Sequence, residues 1–472
     1  MSKGPKEGRA MDKKKEREMQ TAFDEQAREV LSMPDRFLKD GKDLKVGFES
    51  EVAIHSDHLA LNELEFVRDN ILRKVPDFTD VELGTAQIEF RTPPVNISST
   101  NGFCDISDIY RTTFQRLVLA ATESNCSILR IGSNPFLPIK NTPRTNKLKY
   151  QLVPDFYNKN RPLQTDTIIG LGNHQINIGD AAVVSLFQSF QVNLEARSFE
   201  DACDKMNRSF FIAPYLLALA ANSRYLELVD TKMQDLRMIG WEKSHDTLMQ
   251  DLRLVAWEKA FDLRTPNEIA RGHALRVGLP ERYFIDLSDY LNRASRFPFI
   301  LHQPKVALNM AVGMTWLDAR VKFIQDSLVV ELRLLPTQPK IEEELMLALL
   351  YLGRLIDSQM RNESLLPIEF VRENRLSAML YGMHRKMWFL SGESILQKLP
   401  YKLGVRREIK RAICGLERFG LANLLDKELL EKILINGSPS DRLSQELDKK
   451  EHDVSVESMK EALARLEMLT KL

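Results

Sequence analysis

Four short segments of the chain alternate polar and apolar residues with a period of two, namely residues 44–54, 86–91, 187–195 and 328–334. Successive side chains of a strand point to opposite faces of a sheet, so this alternation predicts strands with one buried face. Three longer segments instead repeat apolar residues at helical spacing, namely residues 107–125, 198–222 and 341–360. Because these strands and helices do not follow a regular βαβ order, the pattern favours an α+β fold with a mainly antiparallel sheet.

The two ends of the chain differ from the segment between them in composition and in the pattern of apolar residues. Residues 1–43 are rich in Lys and Glu and poor in apolar residues, which predicts a charged, mobile or loosely helical N-terminal extension. Residues 44–445 form the predicted main domain. Residues 446–472 form a predicted helical tail, whose apolar stripe favours docking on the same chain and, as a second alternative, pairing with a second subunit in a homo-oligomer.

The main domain contains one internal repeat. The sixteen residues that begin at Asp230 are followed by a close copy that begins at Asp246, so that Arg237 and Arg253 occupy equivalent positions. Two copies are too few for a solenoid. The apolar spacing of residues 230–262 instead predicts a lengthened helix or a helical hairpin.

Composition excludes several classes of protein. With 472 residues, 43% of them hydrophobic, the chain can bury a large core. Its formal net charge of zero gives no overall electrostatic attraction to nucleic acid or to an anionic membrane. No apolar run approaches the roughly 20 residues of a membrane helix, and no apolar signal core opens the chain, so we expect a cytoplasmic protein. The four cysteines lack CxxC spacing, which argues against a zinc ribbon or a disulfide framework.

The candidate chemistry lies in polar stripes on the predicted strands. Glu49 and Glu51 share one face of the first strand, and corresponding stripes on the other strands carry Glu89 with Arg91, Gln191 with Asn193, and Glu331 with Arg333. A solvated face of an antiparallel sheet would show the same alternation, and alternation alone favours that interpretation. If the stripes converge, the glutamates instead form an oxygen-ligand cage for magnesium ions that carry nucleotide phosphates. Zinc-type histidine spacing and a GxxxxGK[ST] loop are both absent from the sequence.

A series of short motifs is similar, in order and spacing, to the glutamate-cysteine ligase and carboxylate-amine ligase family of the glutamine synthetase-like superfamily. The first two are G-F-E-S-E at residues 47–51 and E-L-G-T-A-Q-I-E-F-R-T-P at residues 82–93. The others are G-S-N-P-F at 132–136, Q-V-N-L-E at 191–195, L-L-A-L-A-A-N-S at 216–223, W-L-D-A-R at 316–320, E-L-R at 331–333, E-N-R at 373–375 and G-S-P-S-D-R at 437–442. Together they span about residues 44–445, which the resemblance identifies as a ligase catalytic domain.

The resemblance implies a curved, mainly antiparallel sheet wrapped by helices, with ATP and a divalent metal held in its concavity. By motif position, the metal-binding carboxylates fall on Glu49, Glu51, Glu89 and Glu331, with Mg²⁺ as the expected ion and Mn²⁺ as an alternative. The strand that often carries a histidine ligand in this family has Gln191 and Asn193 instead. We expect these two amides to contact the nucleotide or the metal, because a glutamine can ligate through its carbonyl oxygen. His174 is interpreted as a structural histidine.

The arginines are the candidates for phosphate and substrate contacts. Arg333 shares a face with Glu331 and suits the transferring phosphoryl group, because its planar fork matches phosphate oxygens. Arg320 is a second catalytic candidate, with a structural salt bridge as an equally supported interpretation. In related ligases an arginine four residues before an aromatic residue contacts substrate carboxylate. Arg237 and Arg253 both meet that description, and the spacing favours Arg253.

The sequence therefore predicts an ATP-dependent, ADP-forming carboxylate-amine ligase that works through an acyl phosphate. The resemblance makes glutamate the expected carboxylate substrate and cysteine the default amine. Two alternatives stay open, namely a non-catalytic binding or scaffold protein, and a phosphotransferase that acts on a guanidine or an amine. The usual Gly-Thr-His-Pro-Phe of the family is Gly-Ser-Asn-Pro-Phe here, so the substrate contact at that loop differs.

Overall fold

The structure is a computed structural model, and it describes residues 13–39, 43–160, 168–169, 176–177, 181–231, 277–391, 395–449 and 454–470. The α-helices of these residues are α1 (Lys13–Ser32), α2 (Leu64–Lys74), α3 (Thr100–Thr122), α4 (Leu148–Asn160), α5 (Phe199–Ala220), α6 (Leu287–Ala294), α7 (Ala307–Gly313), α8 (Ile341–Met360), α9 (Ile368–Tyr381), α10 (Tyr401–Glu417), α11 (Lys427–Asn436), α12 (Pro439–Asp448) and α13 (Val456–Arg465). Every helix in this part of the chain is too short or too polar to cross a membrane.

The strands are mostly short. They are β1 (Lys45–His55), β2 (Thr79–Val81), β3 (Gln87–Arg91), β4 (Val95–Asn96), β5 (Ser127–Leu129), β6 (Ile168–Ile169), β7 (Ile176–Asn177), β8 (Ser189–Ala196), β9 (Tyr225–Leu226), β10 (Val229–Asp230), β11 (Val277–Gly278), β12 (Trp316–Leu317), β13 (Ala319–Ile324), β14 (Ser327–Pro336), β15 (Lys386–Ser391), β16 (Ile395–Pro400) and β17 (Leu469–Thr470). Strands β1, β3, β8 and β14 match the four alternating segments to within three residues at each end.

One nine-stranded antiparallel sheet organises the molecule. Its main path is β13-β14-β8-β1-β3-β2, with β4 and β5 paired to β1, and β17 paired to β5. The sheet curls into a half-barrel. Helix α5 packs on β13 and β14, and α3 packs on β1 and β3, so helices cover the apolar face. This architecture confirms the predicted α+β class and the curved, mainly antiparallel sheet.

Strand β1 is the centre of the sheet, and its two faces have different partners. Phe48 and Val52 are fully buried on the helix side, as the alternation predicts. On the same side the Ser50 hydroxyl donates to Glu344 Oε1 of α8 at 3.2 Å. Glu344 also accepts from Tyr110 at 2.7 Å and pairs with Arg130 at 2.6 Å, and it is fully buried. The buried carboxylate of Glu344, which has a hydrogen-bonding or charged partner on each oxygen, therefore links the helix-facing side of β1 to α3 and α8.

The predicted helices are present, and one begins earlier than its apolar pattern indicates. Helices α5 and α8 lie within residues 198–222 and 341–360 as predicted. Helix α3 starts at Thr100 instead of residue 107, because the Ser99 side chain accepts from the Gly102 backbone N–H and caps the first turn. An N-cap of this kind supplies a partner for an otherwise unpaired helical N–H.

Both ends of the chain contact the main domain. Helix α1 buries Met19, Phe23 and Ala27 and packs against α7, so residues 13–32 form a docked helix instead of a mobile or loosely helical extension. The apolar stripe explains this, since three residues four apart lie on one helix face. The tail docks on the same chain, as favoured: α13 buries Met459 and Leu463, and β17 joins the sheet. The proposed domain boundaries stay a prediction.

Helices α8 and α10 cross at very short range. A Cβ added at Gly353 would lie 2.2 Å from the Ala412 carbonyl oxygen, and a Cβ at Gly415 would lie 1.9 Å from the Gly353 carbonyl oxygen. Beside this crossing Arg354 of α8 forms a buried ion pair with Glu408 of α10. The two helices are thus held at a distance that only glycine allows.

We expect Gly415→Ala to destabilise the protein by about 1–3 kcal/mol, because the added methyl group must push two backbones apart. The matched control is Gly313→Ala, where an added Cβ meets no atom within 4 Å. Urea unfolding followed by circular dichroism measures both. Equal free energies of unfolding for the two variants would show that the crossing is not tightly packed.

Candidate functional site

The strand register brings the four predicted polar stripes onto one concave surface. Directly opposite residues are Glu51 and Glu89, Glu49 and Gln191, and Glu331 and Asn193. Opposite residues on neighbouring antiparallel strands have Cβ atoms about 5 Å apart, so their side chains can interact. The stripes therefore converge, and they are not separate solvated faces.

A cavity of about 410 Å³ lies over this surface. Glu49, Glu51, Glu82 and Glu89 line it together with the cations Lys149, Arg320 and Arg333. Helix α4 supplies Lys149 and Tyr150 to one wall, and Met310, Met314 and Trp316 form an apolar part of another. A mixed cavity of this size, with charged groups on one side and apolar groups on the other, suits a small charged ligand with an apolar portion.

The carboxylates at the β1–β3 end of the cavity lack sufficient positive charge. Burial raises the pKa of Glu89 well above its usual range, and the negative charges of Glu49, Glu82 and Glu51 raise it further. Arg91 opposes this shift from 3.6 Å but does not cancel it. Ionised Glu89 is thus unfavourable in the protein alone, and a cation placed here would stabilise it.

The carboxylate at the β14 end is in the opposite situation. Glu331 is fully buried and pairs with Arg320, with Arg333 Nη1 at 2.6 Å, and with Lys322. Burial alone would raise the pKa of Glu331, but the three cations outweigh burial and hold this pKa well below its usual range. Burial lowers the pKa of Arg333, but the pairing with Glu331 outweighs burial, so this pKa is raised overall. At this end of the site the carboxylate is therefore fully compensated, and the cations outnumber it.

The two predicted amides lie between these ends. Gln191 Nε2 donates to Ser189 Oγ at 3.0 Å and to Glu51 Oε1 at 3.3 Å. Asn193 Nδ2 donates to Glu49 Oε1 at 3.1 Å. Gln191 Oε1 is buried and accepts no hydrogen bond from any residue that the structure describes. A buried carbonyl oxygen without a donor is an available ligand atom.

The oxygen donors at the β1–β3 end fit a divalent cation such as Mg²⁺. Glu49, Glu51, Glu89 and the Gln191 carbonyl oxygen are hard ligands, and they carry the excess negative charge that such an ion would balance. Within the described ranges, no three His, Cys, Asp or Glu side chains stand close enough to hold a metal as they are, so the oxygens would have to draw together. The assignment of Glu49, Glu51, Glu89 and Glu331 as metal ligands stays a prediction, and the structure separates Glu331 electrostatically from the other three.

Sequence reasoning missed three charged residues of the site, one of which is Lys149 of α4. Glu82 precedes β3 and lies outside its alternation, although it opens the second family motif. Lys322 lies two residues after Arg320 in β13, so period-two reasoning applied to that strand would have placed it on the same face. The predicted substrate arginines Arg237 and Arg253, the duplicated segment from residue 232 onwards and His174 lie outside the described residues.

Comparisons with known proteins place this geometry in a family. The family model of glutamate-cysteine ligase family 2 (GCS2) matches residues 45–412. The fold is similar to the crystal structure of a glutamate-cysteine ligase from Francisella tularensis in complex with AMP, with 13% identity, a TM-score of 0.53, and coverage of 91% of this chain and 92% of that one. It is also similar to a bifunctional glutathione synthetase from Pasteurella multocida, with 11% identity, a TM-score of 0.51, and coverage of 96% of this chain but 54% of that one. No curated protein sequence matches the chain.

Because the pKa of Glu89 is raised and the pKa of Glu331 is lowered, replacing each glutamate with glutamine should change the free energy of unfolding in opposite directions. Glu89→Gln should stabilise the metal-free protein at a pH above the folded-state pKa of Glu89, because the buried ionised carboxylate is unfavourable there and the amide carries no charge. Glu331→Gln should destabilise it by about 3–5 kcal/mol, because it leaves buried cations without their carboxylate. Free energies of unfolding from urea titrations, measured in EDTA, test both.

Glu89 and Glu331 should make opposite contributions to the pH dependence of stability. The pKa of Glu89 is raised in the folded state, so its contribution to stability is present at acid pH and is lost as pH rises through that pKa. The pKa of Glu331 is lowered, so its contribution is present above about pH 4 and is lost as pH falls further. Destabilisation by both substitutions, with parallel pH profiles, would contradict this description of the site.

Proposed function

This chain belongs to glutamate-cysteine ligase family 2, and we propose on that premise that it is an ATP-dependent carboxylate-amine ligase that forms ADP. The family supports the ligase activity, and the cavity supports the use of a nucleotide. The observation that carries the proposal is the surplus of negative charge at Glu49, Glu51 and Glu89, set across one cavity from Arg320 and Arg333. An enzyme that transfers a phosphoryl group needs a divalent cation and arginines around the phosphates.

The nucleotide would lie in the cavity between these two groups of charges. AMP is bound in the Francisella ligase whose fold is similar, which supports a nucleotide site in this fold. The Met310, Met314 and Trp316 wall offers apolar contact to a base, and the charged floor faces the phosphates. The arrangement suits a ligand with one aromatic and one anionic end.

Glu49, Glu51, Glu89 and the Gln191 carbonyl oxygen would hold Mg²⁺, with Mn²⁺ as the alternative ion. When bound, such an ion neutralises phosphate charge during transfer. Asn193 holds Glu49 in position through its 3.1 Å hydrogen bond, and Ser189 holds Glu51 through a 2.8 Å bond from its backbone N–H. These residues orient the carboxylates before any ligand is present.

The reaction would proceed in two steps. A carboxylate oxygen of the first substrate attacks the γ-phosphorus of ATP, the bond to the bridging oxygen breaks, and ADP leaves with that electron pair. The second substrate's amine then attacks the acyl carbon, phosphate leaves, and the nitrogen loses a proton. Arg333 remains cationic because its pKa is raised, so it can stabilise the transferred phosphoryl group, with Arg320 beside it.

The substrates are proposed from the family resemblance alone. Glutamate is the proposed carboxylate and cysteine the proposed amine, with Arg253 or Arg237 as the contact for the substrate carboxylate. At the altered family loop, Asn134 is 3% exposed, and its side chain accepts from the Phe136 backbone N–H at 3.0 Å. This asparagine therefore supports its own turn.

The test is an assay with Mg²⁺ and ATP over a panel of amino-acid pairs, read by mass spectrometry. The proposal predicts ADP, phosphate and an amide. A phosphorylated guanidine or amine would instead identify a phosphotransferase, and no turnover with any pair would favour a binding protein.

Arg333→Lys should lower kcat by about 10²-fold or more, because lysine keeps the charge but loses the planar fork. The matched control is Arg111→Lys on α3, which alters a surface ion pair with Glu342 and should leave kcat unchanged. Equal kcat values for the two variants would show that Arg333 does not stabilise the transferred phosphoryl group.

A further inference from the structure

Lys322 lies inside the charged site but was not among its predicted members. It belongs to β13, and its side chain is 21% exposed. Its Nζ lies 3.1 Å from Asn193 Oδ1 and 3.3 Å from Glu49 Oε1, and it pairs with Glu331. The lysine thus contacts residues of three other strands.

The contact between Lys322 and Glu49 spans several strands of the sheet. The strand order β13-β14-β8-β1 places β13 and β1 three spacings apart, or about 14 Å in a flat sheet. The two long side chains meet across the concave face, with Lys322 Nζ 3.3 Å from Glu49 Oε1. Lys322 therefore occupies the position where the carboxylates of β1 and β14 approach each other.

That position is the one a bridging cation would take. Glu331 already accepts from Arg320 and Arg333, so Lys322 is the third positive group on a single carboxylate. Lys322 also pairs with Glu49, another predicted metal ligand, and so links Glu331 to Glu49. A divalent ion that bridged Glu331 and Glu49 would have to displace the ammonium group of Lys322, which already lies between them.

We propose that Lys322 is a built-in cation that takes the place of one divalent ion, so that Glu331 is not a metal ligand and the protein binds its ion only at the β1–β3 end. Lys322 is then a positioning residue that sets the number of ions and holds Glu49 towards the cavity. The inference rests on the proposed function, because that function requires a divalent ion at Glu49, Glu51 and Glu89. It changes the predicted ligand set by removing Glu331.

The experiment counts Mn²⁺ ions per chain by electron paramagnetic resonance of the free ion, on the full chain without nucleotide. Lys322→Gln should bind one more Mn²⁺ than the wild type, because it exposes the Glu49 and Glu331 oxygens while both arginines still compensate Glu331. Lys322→Arg keeps the charge and should bind the wild-type number. Lys322→Met repeats the test if glutamine disturbs the fold, which circular dichroism checks.

Lys340→Gln is the matched control for the loss of a lysine from a carboxylate pair. Lys340 pairs with Glu467 at 2.6 Å on the surface, so its loss should not add an ion. If Lys322→Gln and Lys322→Met bind the same number of ions as the wild type, with unchanged affinity, the inference fails.

The outcomes separate this inference from the proposed function. An ion that binds the wild type and is lost in Glu89→Gln supports the proposed site, whether or not Lys322→Gln adds another. An ion that binds Lys322→Gln but not the wild type contradicts both proposals, because the inference also requires one ion at Glu49, Glu51 and Glu89 of the wild type. If neither protein binds Mn²⁺, both proposals are overturned.

Discussion

The repulsion between carboxylates on the concave face of β1 is the constraint on which the site depends. Period-two geometry forces Glu49 and Glu51 onto the same side of the strand, and the register adds Glu89 beside them. Strand β1 cannot turn to move these carboxylates apart, because Ser50 on its opposite face is hydrogen-bonded to the buried Glu344. The fold therefore keeps an unfavourable charge cluster in place, which is typical of a site whose missing partner is a ligand.

The two ends of the cavity solve the same electrostatic problem in different ways. At β14 the protein supplies its own cations, and the pKa of Glu331 is lowered. At β1 and β3 it supplies too few, and the pKa of Glu89 is raised. The proposed ligase reaction needs both arrangements, since arginines must already be present for the phosphoryl group, while the cation site must remain free for a divalent ion.

Local periodicity and motif order made the fold and most of the candidate site predictable. Strands β1, β3, β8 and β14 and their facing polar residues follow from alternation, which depends only on neighbouring residues. The role of Lys322 could not be predicted in this way, because its contacts with Glu49 and Glu331 depend on the order of the strands in the sheet, which alternation does not give. The docking of α1 was missed for a related reason: three buried side chains among many charges leave a weak apolar signal.

The central claim is that the carboxylates of β1 and β3 hold a divalent ion beside a nucleotide. A crystal structure with ADP and Mn²⁺, with anomalous data collected at the manganese edge, tests it most directly. The account predicts an anomalous peak between Glu49, Glu51 and Glu89 that is in contact with the ADP phosphates. A nucleotide bound elsewhere, or ADP in the cavity without an anomalous peak at these carboxylates, would contradict it.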